Sequence, residues 1–322
     1  MTTVTVALPV RNGMPSLEQV LDAVERQRVD RELELLVADN GSTDGTVDCV
    51  LRHGGTVIDV PPEEFTHGGT RDLLMQHATG DHVAFLTDDS VPASGTWLAS
   101  MLEGFELAPD VALAYGPYVP RPDASVPVAR ELTEFFASLS RDGSPRIDRG
   151  LRPEDRRPGP VTFFTDANSC VARWAWERVP FRPVASAEDH VLAIDMLAAG
   201  YAKAFVPAAA VVHSHDDPPR VRLGRFFDEF RALREIYGHV EEVGVRHTLG
   251  TIRRNVARDR AFAAAHGRAD PTLESLAYHV MRAAGAALGT RADRLPAPVC
   301  VALSRERRGD FAPVAERPAA RV

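Results

Sequence analysis

The chain has 322 residues, 44% of them apolar and 25% charged, which is ordinary for a soluble globular protein of one or two domains. Its formal net charge of −8 excludes a general nucleic-acid binder, because phosphate recognition needs basic surface. No stretch approaches the roughly 18 uninterrupted apolar residues of a membrane-spanning helix.

The first half alternates strand and helix signals. Thr3–Pro9 is a β-rich run, and Ser16–Arg26 carries Leu17, Val20, Leu21 and Val24 at the helical period, with Ser16 at the N-cap. Leu33–Ala38 is a second strand. Asp39-Asn-Gly-Ser-Thr-Asp-Gly45 turns into a helix over Thr46–Arg52, and Thr56–Val60 is a third strand. Gly69–Ala78 predicts a helix, His82–Thr87 a strand, Trp97–Glu106 a helix and Val111–Tyr118 a strand. Arg141–Pro160, rich in Arg, Asp, Gly and Pro, predicts a mobile loop of the kind that covers active sites. Val161–Val171 has strand character, Asp189–Ala199 is helical, and Ala202–Val212 holds a last strand. This alternation implies βαβ units and a mostly parallel sheet. Helical patterns then take over at Leu223–Tyr237, Val245–Ala265 and Leu273–Leu288, and about 25 terminal residues are expected to be poorly ordered. The expected domains are 1–219 and a helical region, 220–322.

The N-terminus runs straight into a strand without a basic stretch and apolar run, so no signal peptide is expected. Cys49, Cys170 and Cys300 lie far apart, against a disulfide framework or a cysteine zinc site. A reduced, cytoplasmic protein fits best. Charge is uneven: residues 1–219 carry a net of −15 and residues 220–322 a net of +7. Lys203 is the single lysine.

Ligands of open α/β sheets bind beyond the carboxyl ends of the strands. Four polar clusters fall there: Pro9-Val-Arg-Asn12, Asp39–Asp44, Asp88-Asp-Ser90 and His213-Ser-His215. Asp88 and Asp89 follow an apolar strand, where a hard divalent cation would compensate them; alone, they also read as a solvated acidic turn. Asp39 could accept from a base or ribose, or close an Asx turn. Glu188-Asp189 could supply a general base, or cap a helix. His213 and His215 share a strand face and could reach one site, or lie exposed in a loop. His67-Gly-Gly-Thr-Arg71 offers a helix N-terminus and a cation to an anion, but is a weak signal by itself. No Walker loop, G-x-G-x-x-G, G-x-S-x-G, H-E-x-x-H or C-x-x-C is present.

In order, these segments resemble a family 2 glycosyltransferase of the GT-A fold. Val6-Ala-Leu-Pro-Val-Arg-Asn12 is similar to that family's first strand, and Val37–Thr46 to its nucleotide-binding turn. Phe85-Leu-Thr-Asp-Asp-Ser-Val-Pro92 resembles its D-x-D region, Asp166–Arg173 its acceptor-side strand, and Glu188-Asp189 its E-D motif. The likeness spans roughly residues 4–215. Phe65–Asp72, Thr87–Pro92 and Val212–His215 resemble the bacterial rhamnosyltransferase-like branch most.

The resemblance implies an α/β GT-A fold, Rossmann-like, with a helical C-terminal extension. It implies inverting, metal-dependent transfer from a nucleotide sugar to a hydroxyl of a saccharide, lipid-linked or small-molecule acceptor. The favoured donor is a dTDP-sugar such as dTDP-L-rhamnose, ahead of a UDP- or GDP-sugar. Pro9, Arg11, Asn12, Asp39, Arg71 and Asp88 would lie at the nucleotide. Asp89, with His213 or His215, would hold Mn²⁺ or Mg²⁺. Asn168 and Glu188 would stand on the acceptor side, and Asp189 would be the base.

Two positions depart from the family pattern: Asp72 where Asn is usual, and Ser90 at the third acidic position. The Q-x-x-R-W signature of processive synthases is absent, which implies single addition. The basic C-terminal region could dock on an anionic membrane, although a solvated helical cap or homodimer surface is favoured. The alternative function is an inactive sugar-nucleotide-binding or scaffold protein. A nucleotidyltransferase is less consistent, since Thr3–Ser16 lacks a Gly-rich basic loop.

Overall fold

The computed structural model of the chain describes residues 3–140, 142–152 and 157–315. The described residues up to Val119, with Phe135–His213, make one unit; Pro120–Glu134 and the described residues from Ser214 onward make another.

In chain order the elements are β1 (Thr3–Val10), α1 (Ser16–Glu25), β2 (Glu32–Asp39), α2 (Thr46–Arg52), β3 (Thr56–Asp59), α3 (His67–His77) and β4 (His82–Leu86). Then follow β5 (Val91–Pro92), α4 (Trp97–Glu106), β6 (Val111–Tyr115), β7 (Tyr118–Val119), α5 (Val126–Leu139), β8 (Arg146–Arg149) and β9 (Asn168–Ala172). Next come α6 (Arg173–Trp176), α7 (Glu188–Ala198), β10 (Ala202–Phe205) and β11 (Val211–Val212). The chain continues through α8 (Pro219–Tyr237), α9 (Val245–Ala265), α10 (Thr272–Gly289) and α11 (Ala297–Leu303).

The large sheet runs β3-β2-β1-β4-β9-β6-β10-β8. β3, β2, β1 and β4 are parallel, as are β6 and β10. β9 runs antiparallel between β4 and β6, and β8 is an antiparallel edge on β10. β6 and β9 are buried at every position, the pattern of a sheet covered on both faces. Val4, Val6, Leu8 and Val10 of β1 join Leu17, Val20, Leu21 and Val24 of α1 and Trp97, Leu98 and Met101 of α4 in one core. The helical spacing in α1 thus marks its buried face, but Pro15 takes the cap position and no side chain caps the helix. A second sheet, β5-β11-β7, lies outside the large one.

The differences from expectation have local causes. Val161–Val171 becomes strand only from Asn168, because Phe163 and Thr162 donate amides back to Gly159 and close a turn. The segment 141–160 contains β8, and its residues 141 and 153–156 lie outside the described residues. Lys203 of β10, fully buried, holds that region: its ammonium lies 3.4 Å from Asp148 and donates to the carbonyls of Pro160, at 3.2 Å, and Phe163. Helix α5 has no counterpart in the sequence reading.

In the second unit, Phe226 of α8 meets Tyr278 of α10 edge to face at 5.3 Å, packed with Ala124, Val128 and Ala129. Buried Asp259 of α9 accepts from Arg130 and bonds His279 Nε2 at 2.7 Å. The described part of the chain end, through residue 315, makes contacts within this unit. Cys300 of α11 packs with Phe227 and Ala292, the Asp228 carboxylate accepts from the amides of Arg305 and Glu306, and the Val314 amide donates to Glu235. Among the described residues, no helix is long and apolar enough to cross a membrane.

Candidate functional site

Strand register decides which polar groups meet. Val10 of β1 lies opposite Asp39 of β2, so the ends of both strands reach the same level. β4 follows beside β1, and Thr87-Asp88-Asp89 leave from its carboxyl end. Antiparallel β9 begins where β4 stops, with Asn168 against Leu86, which brings Thr165 and Asp166 to the same edge. Tyr115 of β6 lies opposite Ser169, so Gly116, Pro117 and Tyr118 emerge there as well. A Cβ on Gly116 would stand 1.8 Å from the Ala209 carbonyl oxygen, so only glycine lets these two segments touch.

The loops after β1 and β2 are stitched together. The Asn12 amide donates to Ser42 Oγ at 2.8 Å, and Asn12 Oδ1 accepts from the Thr43 amide at 2.9 Å. Gly13 and Met14 donate to Thr46 and Asp44, each at 2.9 Å. Asn12 holds a left-handed φ of 52°, a conformation that Asn tolerates better than most residues. Pro9 is half-buried, whereas Arg11 and Asn12 are exposed. Asp39 is buried. Its Oδ2 accepts from the Ser42 amide at 3.0 Å, while Oδ1 is buried with no hydrogen-bond partner. A buried acceptor left in this state favours a donor that arrives with a ligand.

Beyond β4, the Asp89 Oδ1 accepts from Thr87 Oγ1 at 2.9 Å and lies 3.2 Å from His213 Nδ1. Ser90 Oγ lies 3.1 Å from the same imidazole nitrogen and 2.6 Å from Thr87 Oγ1. Pairing of β11 with β5 and β7 delivers His213 here, with its amide donating to Val119. Burial and the adjacent Asp89 charge push the Asp88 carboxyl up to about 6. Carboxylate oxygens beside an imidazole, with surplus negative charge, form a donor set that fits a hard divalent cation such as Mn²⁺ or Mg²⁺. His215 stands two residues past His213, in the second unit.

The base-side cluster is built by α3 and α7. Thr66 caps α3, accepting from the Gly69 amide at 3.0 Å. The two glycines do not open this helix end toward an anion. A Cβ on Gly68 would stand 1.8 Å from the Arg182 carbonyl oxygen, and the Gly68 amide donates to Val184. That contact brings the segment before α7 onto α3. Arg71, expected at the nucleotide, is buried with its Nε 3.2 Å from Asp166 and its Nη1 2.6 Å from Glu188. Burial alone would lower its pKa, but Glu188 and Asp166 outweigh that and hold it charged. Glu188 is likewise buried in this pair rather than facing an acceptor.

Asp189 is half-buried in the first turn of α7, and its Oδ1 accepts from the His190 amide at 2.8 Å. Burial, and then the charges of Glu188 and Asp166, push its carboxyl well above the usual carboxylate range. A carboxylate raised in this way is a stronger proton acceptor near neutral pH.

Asn168, expected on the acceptor side, sits inside the sheet edge. It is fully buried, its Oδ1 accepts from Trp97 Nε1 at 2.8 Å, and its Nδ2 donates to the Ala209 and Pro117 carbonyls. It clamps the sheet edge. Sequence reading missed Tyr118, whose ring meets His213 edge to face at 4.8 Å and whose hydroxyl bonds Thr165. It also missed Asp166 as the partner of Arg71. No local signal marks either residue, because each acts through segments distant in sequence.

Residues 5–165 match the sequence profile of Glycosyl transferase family 2. The chain is 28% identical over 229 residues to an O-antigen chain rhamnosyltransferase of Salmonella typhimurium, covering 70% of each chain. It is 28% identical over 235 residues to one of Salmonella anatum, covering 71% of each. Among solved structures it resembles a mannosyltransferase of Pyrobaculum calidifontis in complex with GDP-Man and Mn²⁺, with a TM-score of 0.57, 21% identity, and coverage of 90% of this chain and 86% of that one. Residues 1–349 of TarS from S. aureus superpose with a TM-score of 0.53 at 12% identity, covering 88% and 90%. These likenesses establish the fold as GT-A.

Proposed function

The chain belongs to Glycosyl transferase family 2, and from that premise we propose that it is a metal-dependent, inverting enzyme of the rhamnosyltransferase kind, with dTDP-L-rhamnose as the favoured donor. A saccharide or lipid-linked hydroxyl is the acceptor, and the site of action is the cytoplasm. The observation that carries this reading is the strand register, which gathers Asp39, Asp88 and Asp89 at one sheet edge beside the cluster that holds Asp189. The named likeness to rhamnosyltransferases at 28% identity supports the choice of sugar.

In this reading, the unpartnered Asp39 Oδ1 accepts the imide N–H of a thymine or uracil ring. Pro9, Arg11 and Asn12 line the nucleotide, and Asp88 faces its ribose. Asp89 and His213 would hold a divalent cation. Such a cation supplies charge neutralisation for the diphosphate. Asp189 removes the proton from the acceptor hydroxyl. The acceptor oxygen bonds to the anomeric carbon as the bond from that carbon to the diphosphate oxygen breaks, and the leaving group takes the electron pair. Attack in line with the leaving bond inverts the anomeric centre.

The test is a panel of dTDP-, UDP- and GDP-sugars, each incubated with the protein and Mn²⁺ or Mg²⁺, with release of the nucleoside diphosphate as the readout. Metal-dependent turnover of dTDP-L-rhamnose above the others is expected. Binding of a nucleotide sugar without turnover of any of them, with saccharide acceptors present, favours the inactive binding protein instead.

A further inference from the structure

We infer that Arg71 is a positioning residue for the acceptor-side base, acting through Asp166 and Glu188 rather than on the nucleotide. The inference rests on the proposed role of Asp189. Three observations carry it.

The guanidinium is held between two carboxylates. Arg71 is only 4% exposed, and its Nε and Nη1 face two different carboxylates. Turning toward a diphosphate would strand Asp166 and Glu188, themselves 1% and 5% exposed, without their cation.

The start of α7 is strained and tied to α3. Ala187 precedes Glu188 with φ 54° and ψ 35°, a left-handed backbone that is unfavourable for a residue with a Cβ, and no side chain caps the helix. The ion pair from Arg71 to Glu188 ties this strained turn to α3. The Gly68 contact with Arg182 and Val184 adds a second tie from the same helix. Asp189 is the residue directly after the tied one.

The electrostatics fit the same role. Asp189 faces the carboxylates of Glu188 and Asp166, the phenol of Tyr118, the amide of His190 and the charge of Arg71. Arg71 is the one cation among these groups. Its charge opposes the rise that burial imposes on the Asp189 and Asp166 carboxyls, and so keeps the base usable near neutral pH.

The experiment compares the full-length wild type with Arg71→Lys and Arg71→Met. Each is titrated calorimetrically with dTDP and Mn²⁺. Each is also labelled with ¹³Cγ-aspartate, so that the Asp189 carboxyl, assigned with Asp189→Asn, can be followed against pH. The expected result is dTDP affinity within about threefold of wild type in both variants. The Asp189 midpoint should rise by about one pH unit or more in Arg71→Met, with a smaller rise in Arg71→Lys, which keeps the charge and loses the fork. If Arg71→Met is too unstable to study, Arg71→Lys carries the same two readouts. A tenfold or greater loss of dTDP affinity would place Arg71 on the nucleotide and overturn the inference while leaving the proposed function standing. An unmoved Asp189 midpoint in a folded variant would also overturn it. Wild-type protein that binds no dTDP would remove the premise itself.

Discussion

At the scale of single residues, two carboxylates carry the donor and acceptor ends of the proposed reaction. Asp189 is half-buried among other carboxyls, so Asn in its place keeps the shape and removes the proton acceptor. Asp189→Asn should lower turnover by about 10²–10⁴-fold with dTDP affinity unchanged, as read by steady-state kinetics beside calorimetry. Asp39 offers an unpartnered buried oxygen. Asp39→Asn should weaken dTDP binding by about ten- to a hundredfold, the worth of a hydrogen bond to a charged acceptor, and an unchanged Kd would place the base elsewhere. Both residues stand out in the sequence as candidates because the motifs that hold them are short and local. Arg71 was visible as well, but its partners were not, since the ion pairs form only when α3 and α7 meet.

At the scale of elements, apolar period located most of the structure. Leu17, Val20, Leu21 and Val24 marked the buried face of α1, and the bounds of α9 match its periodic run. Helix α5 escaped because Pro127 and the polar residues of its exposed side interrupt the pattern. The Val161–Ala167 stretch misled in the other direction: its β-prone residues are held by turn hydrogen bonds, a tertiary preference that outweighs propensity.

Packing between elements also makes predictions. Gly68→Ala forces α3 away from the segment before α7, at a cost of about 1–3 kcal/mol, to be measured as a lower urea midpoint. Lys203 of β10 is fully buried, and burial pulls its pKa down to about 8 from 10.5. Between those two values the unfolded chain keeps a proton that the folded chain has released, so this group makes stability rise with pH across that window. Lys203→Met should remove that rise, seen by comparing urea unfolding of both proteins at about pH 8 and pH 10. An identical pH slope in the two proteins would contradict the assignment.

At the scale of the whole molecule, a mostly parallel sheet brings the ends of β1, β2 and β4 to one edge, and antiparallel β9 adds Thr165 and Asp166 to it. This convergence was legible as an order of motifs, but the insertion of an antiparallel strand into the middle of the sheet was not. Strand order depends on pairing between segments far apart in the chain, which no local pattern encodes. The basic excess after residue 220 was also plain in the sequence, yet much of it is spent internally. Arg231 bonds Glu235 and the Arg308 carbonyl, Arg234 bonds Asp293, and Arg225 bonds Asp217.

The central claim is that this edge holds a nucleoside diphosphate through a divalent cation at Asp89. It is tested most directly by calorimetric titration of dTDP into wild-type protein and Asp89→Ala, with Mn²⁺ and with EDTA. The account predicts saturable binding by the wild type with Mn²⁺, and a loss of tenfold or more both in EDTA and in Asp89→Ala. Equal affinity under all of these conditions, or no binding of dTDP by folded wild-type protein, would contradict it.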